Sequence, residues 1–102
     1  MSECPFTWHQ LESSSETGPN FEKMTLSCGI CGVGHTFQMT WMGRNQIKVD
    51  TTIFPAHGVR AISRDVIRWS IEACEGTIRN MERDGVSVIR GTIDIQGEPA
   101  GL

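Results

Sequence analysis

The chain lacks the features that would mark a membrane or secreted protein. It has no uninterrupted run of about 18 apolar residues, the length that a membrane-spanning helix needs, so we expect no membrane segment. The opening Met1–Pro5 has no positive region followed by an apolar one, so we expect no secretory signal. This indicates the reducing cytoplasm, where four cysteines are expected to be thiols or metal ligands and not disulfides.

The chain also lacks an excess of basic residues. Its formal net charge is -3, with five acids and three bases in residues 1–59 and seven acids and six bases in residues 60–102. A domain that binds nucleic acid usually carries a basic surplus on one face. The balance of charge therefore disfavours nucleic acid as a partner, while leaving room for a local basic patch.

Common catalytic signatures are missing as well. The sequence shows no paired carboxylates in an apolar setting, no phosphate-binding glycine loop and no nucleophile elbow. Asp50 and His57 flank a loop, but nothing marks a nucleophile beside them. The sequence therefore indicates a protein that is not an enzyme.

The strongest chemical signal is the stretch from Cys28 to His35. Cys28 and Cys31 are spaced so that both thiols can reach one ion, and the following Gly32 is typical of a metal knuckle, in which backbone N–H groups point at the sulfurs. Strand-like segments flank the stretch on both sides. We therefore predict a zinc knuckle at the tip of a β-hairpin.

Zinc prefers four ligands, so the pair of thiols supplies half a site. Cys4 and His9 are the leading candidates for the other half, because Cys4-Pro5 resembles the Cys-Pro opening of zinc-ribbon knuckles. The resemblance to zinc ribbons is limited to the knuckle and this N-terminal segment, and it implies a structural zinc. A histidine in place of a fourth cysteine departs from the commonest ribbon pattern.

Other residues compete for these roles. His35 or His57 could close the zinc site in place of Cys4 and His9. Cys74 lies on the apolar face of a helix, where it is expected to be a small buried side chain. A thiol-redox role for the Cys-x-x-Cys pair would need a helix starting at the first cysteine, and the glycines and strand pattern that follow disfavour one.

The predicted fold is α+β, with one small antiparallel meander sheet and one covering helix in a single domain, residues 1–102. Alternating apolar residues predict strands, and an apolar stripe at helical spacing between Ser63 and Gly85 predicts a helix. A slip in the alternation near Ile89–Gly91 predicts a bulge in the last strand. The elements follow the order strand, strand, strand, helix, strand: 21–27, 36–42, 47–53, 63–85 and 86–95.

The remaining segments have the composition of loops. Residues 10–20 are rich in Ser, Glu and Gly and predict a flexible connector, and residues 96–102 predict a loose tail. On the helix, Arg68–Glu72 and Glu75–Arg79 have the spacing of ion pairs on a solvated face. The inward stripe is predicted to consist of Ile67, Ile71, Cys74, Ile78 and Met81, with Val66 beside them.

Several large apolar residues are left outside this predicted core. Trp41, Met42 and Trp69, with Ile62, are expected at the surface, where aromatic and Met side chains favour a protein interface. The sequence thus predicts a small zinc-stabilised interaction or regulatory protein, of the kind found as accessory subunits or phage-type inhibitors, that binds another protein or a second copy of itself. A nucleic-acid-binding zinc ribbon is the second hypothesis, and a thiol-redox protein is the third.

Overall fold

The computed structural model describes residues 11–99 as a five-stranded sheet with one long helix packed on one face. The order of the strands across the sheet is β1-β2-β3-β4-β6, and β5 and β7 form a separate two-stranded ladder. The predicted α+β class is confirmed, and three of the eight elements, β1, β5 and β7 below, were not expected. The elements are β1 (Leu11–Thr17), β2 (Phe21–Cys28), β3 (Gly34–Gly43), β4 (Gln46–Phe54), β5 (Ala61–Ile62), α1 (Arg64–Arg83), β6 (Ser87–Ile95) and β7 (Glu98–Pro99).

The predicted meander accounts for only part of the sheet. Strands β1 to β4 pair antiparallel in chain order, but β6 runs parallel to β4 at the far edge. A parallel neighbour requires a crossover connection, and α1 provides it between β4 and β6. The expectation of a wholly antiparallel sheet is therefore corrected: the sheet is mostly antiparallel.

The segment predicted as a flexible connector contains the edge strand β1. All seven residues of β1 are exposed, which explains why no apolar alternation marks it in the sequence. The strand is held by pairing with β2 through a turn in which the Gly18 N–H donates to the Phe21 carbonyl at 2.9 Å. The Phe21 ring packs so closely over Gly18 that a Cβ there would collide with it.

The C-terminal segment also differs from the expected loose tail. Glu98 and Pro99 form β7, which pairs parallel with Ala61 and Ile62. Ile62 is only 1% exposed and belongs to the core, so the prediction that it lies at the surface is wrong. The described residues exclude Met1–Gln10, which contain the predicted ligands Cys4 and His9, and Ala100–Leu102.

Helix α1 begins and ends where its capping residues predict. The Ser63 side chain accepts the Val66 N–H at 3.2 Å, and Gly85 follows the last turn with φ of +92°, a conformation that favours glycine. The buried side chains of the helix are Val66, Ser70, Cys74 and Ile78. Ile67 and Ile71 lie on one flank and are only half-buried.

The ion pairs of the helix differ from those that spacing predicts. Arg90 of β6 binds Glu75 at 2.8 Å and lies 4.0 Å from Glu82, while Arg68 lies 3.5 Å from Asp65. The hydrogen bonds between Arg90 and Glu75 hold the pKa of that carboxyl below its usual value. Glu75 therefore pairs with Arg90 of β6, where helical spacing predicts a pair with Arg79.

The predicted bulge is present in β6. Two residues, Gly91 and Thr92, stand opposite the single residue Asp50 of β4. The Asp50 carboxylate occupies the widened gap and accepts the Thr92 N–H at 2.9 Å and its hydroxyl at 3.2 Å. This satisfies a backbone group that the bulge would otherwise leave unpaired.

Candidate metal site at the hairpin tip

The two knuckle cysteines lie at the tip of the β2–β3 hairpin. Cys28 is the last residue of β2, and the turn after it closes through two backbone hydrogen bonds of 2.9 Å: Cys28 N–H to the Val33 carbonyl and Gly32 N–H to the Cys28 carbonyl. Gly32 has φ of +88°, in the left-handed region where a side chain is unfavourable. Glycine is therefore favoured after the second cysteine because of the backbone conformation that the turn adopts there.

The sulfur of Cys28 receives a backbone hydrogen bond within this turn. The Ile30 N–H donates to Cys28 Sγ at 3.3 Å, and Cys28 is only 2% exposed. An N–H that points at a sulfur stabilises the thiolate, which is the form that binds metal. Cys31, three residues later, is half-buried in the same turn.

His57 lies closest to the knuckle among the competing histidines. Its backbone N–H donates to the Cys31 carbonyl at 2.8 Å, and its ring lies so close to Gly32 that a Cβ there would collide with Nε2. Within residues 11–99, however, no three His, Cys, Asp or Glu side chains converge to hold a metal ion. The described part of the chain thus provides the two knuckle cysteines without a converging third ligand.

His35 has a different environment, in the contact between β3 and α1. It is 2% exposed, its ring is stacked on Phe37 with centroids 4.4 Å apart, and Trp69 packs on it at 4.7 Å. Its Nδ1 lies 2.8 Å from the hydroxyl of Ser70, which is fully buried. Burial lowers the pKa of His35 to about 4, so the ring is neutral at pH 7.

The pairing of His35 with Ser70 was not predicted from the sequence. A signal for it exists, because Ser70 shares the i, i+4 spacing of Val66, Cys74 and Ile78 on the buried stripe of α1. A serine on that stripe must find a hydrogen-bond partner inside the protein. Which partner it finds depends on how the helix docks on the sheet.

The buried His35 predicts a loss of stability in acid. The unfolded chain binds a proton at its His35 position near pH 6.5, whereas the folded protein binds it only near pH 4. The unfolded state therefore holds more protons in this window, so the free energy of unfolding falls as the pH is lowered from about 6.5 to about 4. The integrated loss should be about 3 kcal/mol.

Denaturant unfolding at a series of pH values measures this loss. His35→Gln should flatten the slope between pH 6.5 and 4. Contributions from other titrating groups are common to the wild type and the variant and cancel in the comparison. A wild-type slope no steeper than that of His35→Gln would contradict the assignment.

The start of β1 lies beside the knuckle. Leu11 is the Cα partner of Cys28, and opposite residues of an antiparallel pair lie about 4.5–5.5 Å apart. Cys4 and His9 lie outside the described residues, but His9 precedes Leu11 by only two positions. Strand β1 therefore starts next to the tip, and most of the segment predicted as a connector belongs to that strand.

The predicted interaction residues fall on two separate regions. Trp41 and Met42 lie at the end of β3 farthest from the hairpin tip and are 46% and 51% exposed. Trp69 lies on α1 against His35 and is half-buried. Cys74 is 7% exposed and accepts the Thr51 hydroxyl at 3.3 Å, as a small core residue.

The chain matches no protein-family model, no curated protein and no solved structure. Within residues 11–99, no helix combines the length and the apolar character that crossing a bilayer would require.

Proposed function

We propose that this chain is a small zinc-stabilised protein that acts by binding another protein and carries out no reaction of its own. The observation that carries the zinc proposal is the Cys28 sulfur accepting the Ile30 N–H in a turn closed by Gly32. This arrangement gives the Cys28 sulfur a backbone donor at the tip, with Cys31 three residues away. Two thiolates in a reducing cytoplasm are ligands that zinc prefers.

The ligand set that we propose is Cys28, Cys31, Cys4 and His9. Its support is the position of Leu11 opposite Cys28, because His9 precedes Leu11 by only two positions in the sequence. His35 is a poor rival because its ring is buried in the core and its Nδ1 is engaged by Ser70. His57 is the stronger rival, since its ring already lies against Gly32.

The proposed binding surface is the Trp41–Met42 end of the sheet. Two large side chains, each about half exposed, occupy consecutive positions of β3 there, and aromatic and Met residues are enriched in protein interfaces. The partner would be another protein or a second copy of this chain. Accessory subunits and protein inhibitors both act by such binding.

The two other hypotheses receive less support. A local basic patch of Lys23, Arg44 and Lys48 would favour nucleic acid, but Lys23 lies 4.0 Å from Glu16 of β1, which offsets its charge. A thiol-redox site would place the first cysteine at a helix N-terminus, whereas Cys28 ends a strand and the turn after it leads into another.

The double variant Trp41→Ala, Met42→Ala tests the binding surface. Truncating an interface tryptophan typically costs 2 kcal/mol or more, so affinity for the partner should fall by about 30-fold or more. Partners recovered from cells would be purified and titrated against the wild type and the variant, with sedimentation measuring self-association. Val59→Ala is the matched control, because Val59 is also exposed, at 42%, but lies in the connection between β4 and β5.

Equal affinity of the wild type and the double variant for every purified partner, with the same oligomeric state, would contradict the proposed surface. That outcome leaves the zinc proposal to be judged separately, by metal analysis of the purified protein.

A further inference from the structure

Helix α1 covers only part of the sheet face on which it lies. It packs chiefly on β3, β4 and β6, and the same face of β2 extends beyond it. Met24 and Leu26 of β2 are the partners of Phe37 and His35 in β3, so all four side chains lie on this face. Met24 is 42% exposed, which leaves an uncovered strip beside the helix.

The uncovered strip and the flank of α1 enclose a groove of about 520 Å³. Its floor is apolar, and its wall on α1 is low because the residues there have short side chains. Small-molecule sites are commonly concave, mostly apolar and about 300–1,000 Å³ in volume, so the groove has the dimensions of one. We call it the α1–β2 groove and define it by Met24, Leu26, His35, Phe37, Ala73 and Thr77.

His35 brings a polar atom to this apolar groove. The side chain is 2% exposed, its Nδ1 lies 2.8 Å from the Ser70 hydroxyl, and no residue within 11–99 forms a hydrogen bond with its Nε2. The two ring nitrogens point in diverging directions, so with Nδ1 held by α1, Nε2 is the nitrogen left for the groove that the ring lines. A buried nitrogen without a partner is rare in folded proteins and indicates a missing one.

The bond to Ser70 fixes which nitrogen of His35 carries the proton. Burial lowers the pKa of His35 to about 4, so the ring holds a single proton at pH 7. Ser70 is fully buried, and its hydroxyl makes no second hydrogen bond with any residue from 11 to 99. The hydroxyl therefore donates to Nδ1, because in the opposite arrangement its own proton would be buried without an acceptor. The ring proton is then on Nε2, where it forms a donor that faces the groove.

Charge along the groove disfavours an anionic ligand. Of the described residues that line it, Glu22 carries the only carboxylate and none is Lys or Arg. Glu22 lies on β2 four residues from Leu26, about 13 Å away, so it stands at the opposite end of the floor from His35. A carboxylate ligand would be desolvated in the groove without a cation to pair with it. The groove therefore favours a neutral ligand with an acceptor atom at one end.

We propose that the α1–β2 groove binds a small neutral molecule whose body is mainly apolar and whose single acceptor oxygen, of the carbonyl type, takes the Nε2–H of His35. The apolar body lies on the floor of the groove, and the short side chains of α1 leave room for it. Neither Trp41 nor Met42 lines this groove, so the ligand site is separate from the proposed protein-binding surface. The site does not depend on zinc.

Two probes of the same frame test the site in the full-length protein. Benzophenone has two phenyl rings joined by a carbonyl, whereas diphenylmethane has the same rings joined by a methylene. Titration with either probe, followed by the methionine ε-methyl NMR signals, should move the Met24 signal. The signal of Met42, which is similarly exposed at the end of β3, should stay in place. Benzophenone should bind about 5-fold more tightly, which corresponds to about 1 kcal/mol for one net hydrogen bond.

Substitutions on β1 test the position of the ligand. Ser15 is the partner of Met24 and faces the groove, whereas the neighbouring Ser14 is the partner of Thr25 and faces away. Both serines are exposed, so neither substitution should disturb the core. Ser15→Phe should fill part of the groove and weaken benzophenone binding several-fold, and Ser14→Phe, the matched control, should leave it unchanged.

The role of His35 is measured separately from binding. Two-bond ¹H–¹⁵N spectra of the free wild type at pH 7 should show a neutral ring protonated on Nε2. The double variant His35→Phe, Ser70→Ala removes the donor without leaving the buried hydroxyl unpaired. In this variant the preference for benzophenone over diphenylmethane should disappear.

Each result decides for or against the ligand site. A Met24 shift with tighter binding of the ketone, weakened in Ser15→Phe, supports the proposal. Equal affinities of the wild type for the two probes, or a ring protonated on Nδ1, would overturn it. So would a Met24 signal that neither probe moves, or a Met42 shift in its place. A Met24 signal that changes with protein concentration and not with the probe would assign the groove to a second copy and overturn the small ligand.

Discussion

Cys28→Ser is expected to abolish stoichiometric zinc binding and to produce the largest loss of stability of any single substitution considered. Cys28 supplies both a sulfur that accepts the Ile30 N–H and the backbone frame of the tip, since its own N–H and carbonyl close the turn. A structural zinc contributes on the order of 10 kcal/mol to the folded state of a small domain. Serine preserves the size and the backbone but not the affinity for zinc.

Elemental analysis and thermal unfolding measure this effect. The wild type, prepared with reduced thiols in zinc-replete medium, should carry one zinc per chain, and the variant should carry none and unfold at a markedly lower temperature. Cys74→Ala is the matched control: it removes another buried thiol, which accepts the Thr51 hydroxyl, and should lower stability while leaving the zinc in place. Wild-type protein without stoichiometric metal would refute the zinc proposal.

Ile78→Ala should cost about 2–5 kcal/mol of unfolding free energy. Ile78 is 1% exposed and packs with Phe37, Met39, Ile47 and Val49 in the larger of the two core clusters. Its removal leaves a cavity where the helix meets the centre of the sheet, a region that cannot easily collapse.

Ile71→Ala provides the comparison that the structure makes possible. The helical spacing places both isoleucines on one inward stripe, but Ile71 lies half-buried on the flank towards β6. Its truncation should therefore cost clearly less than that of Ile78, and Arg68→Ala should cost less than about 1 kcal/mol because its partner Asp65 is exposed. Denaturant unfolding gives all three values, and equal losses for the two isoleucines would mean that the helix is rotated relative to the sheet.

The sequence predicted those elements whose signals are local. Strands β2, β3 and β4 show period-two alternation, and α1 has both its stripe and its capping residues, so their positions are confirmed within a few residues. The hairpin between β2 and β3 follows from the same patterns and brings Cys28 and Cys31 to a tip. The turn itself follows from Gly32, since only glycine readily adopts its φ.

The elements that depend on distant partners could not be predicted in this way. Strand β1 consists of exposed and mostly polar residues and forms by pairing with the edge of β2. Strand β7 forms by pairing with Ala61 and Ile62. The parallel pairing of β6 with β4 cannot be inferred from the residue pattern of either strand. Ile62 looked like a surface residue for the same reason, because its neighbours in the core come from other elements.

The sequence by itself determined which residues could bind a metal and which stretches would be helix or strand, because side-chain chemistry and periodicity are properties of short segments. Only the tertiary structure decided which candidates share a region. It buried His35 against Ser70, set the ring of His57 beside Gly32 and left Trp41 and Trp69 in separate places. Those outcomes depend on strand order and helix docking, and these are fixed by packing between segments far apart in the chain.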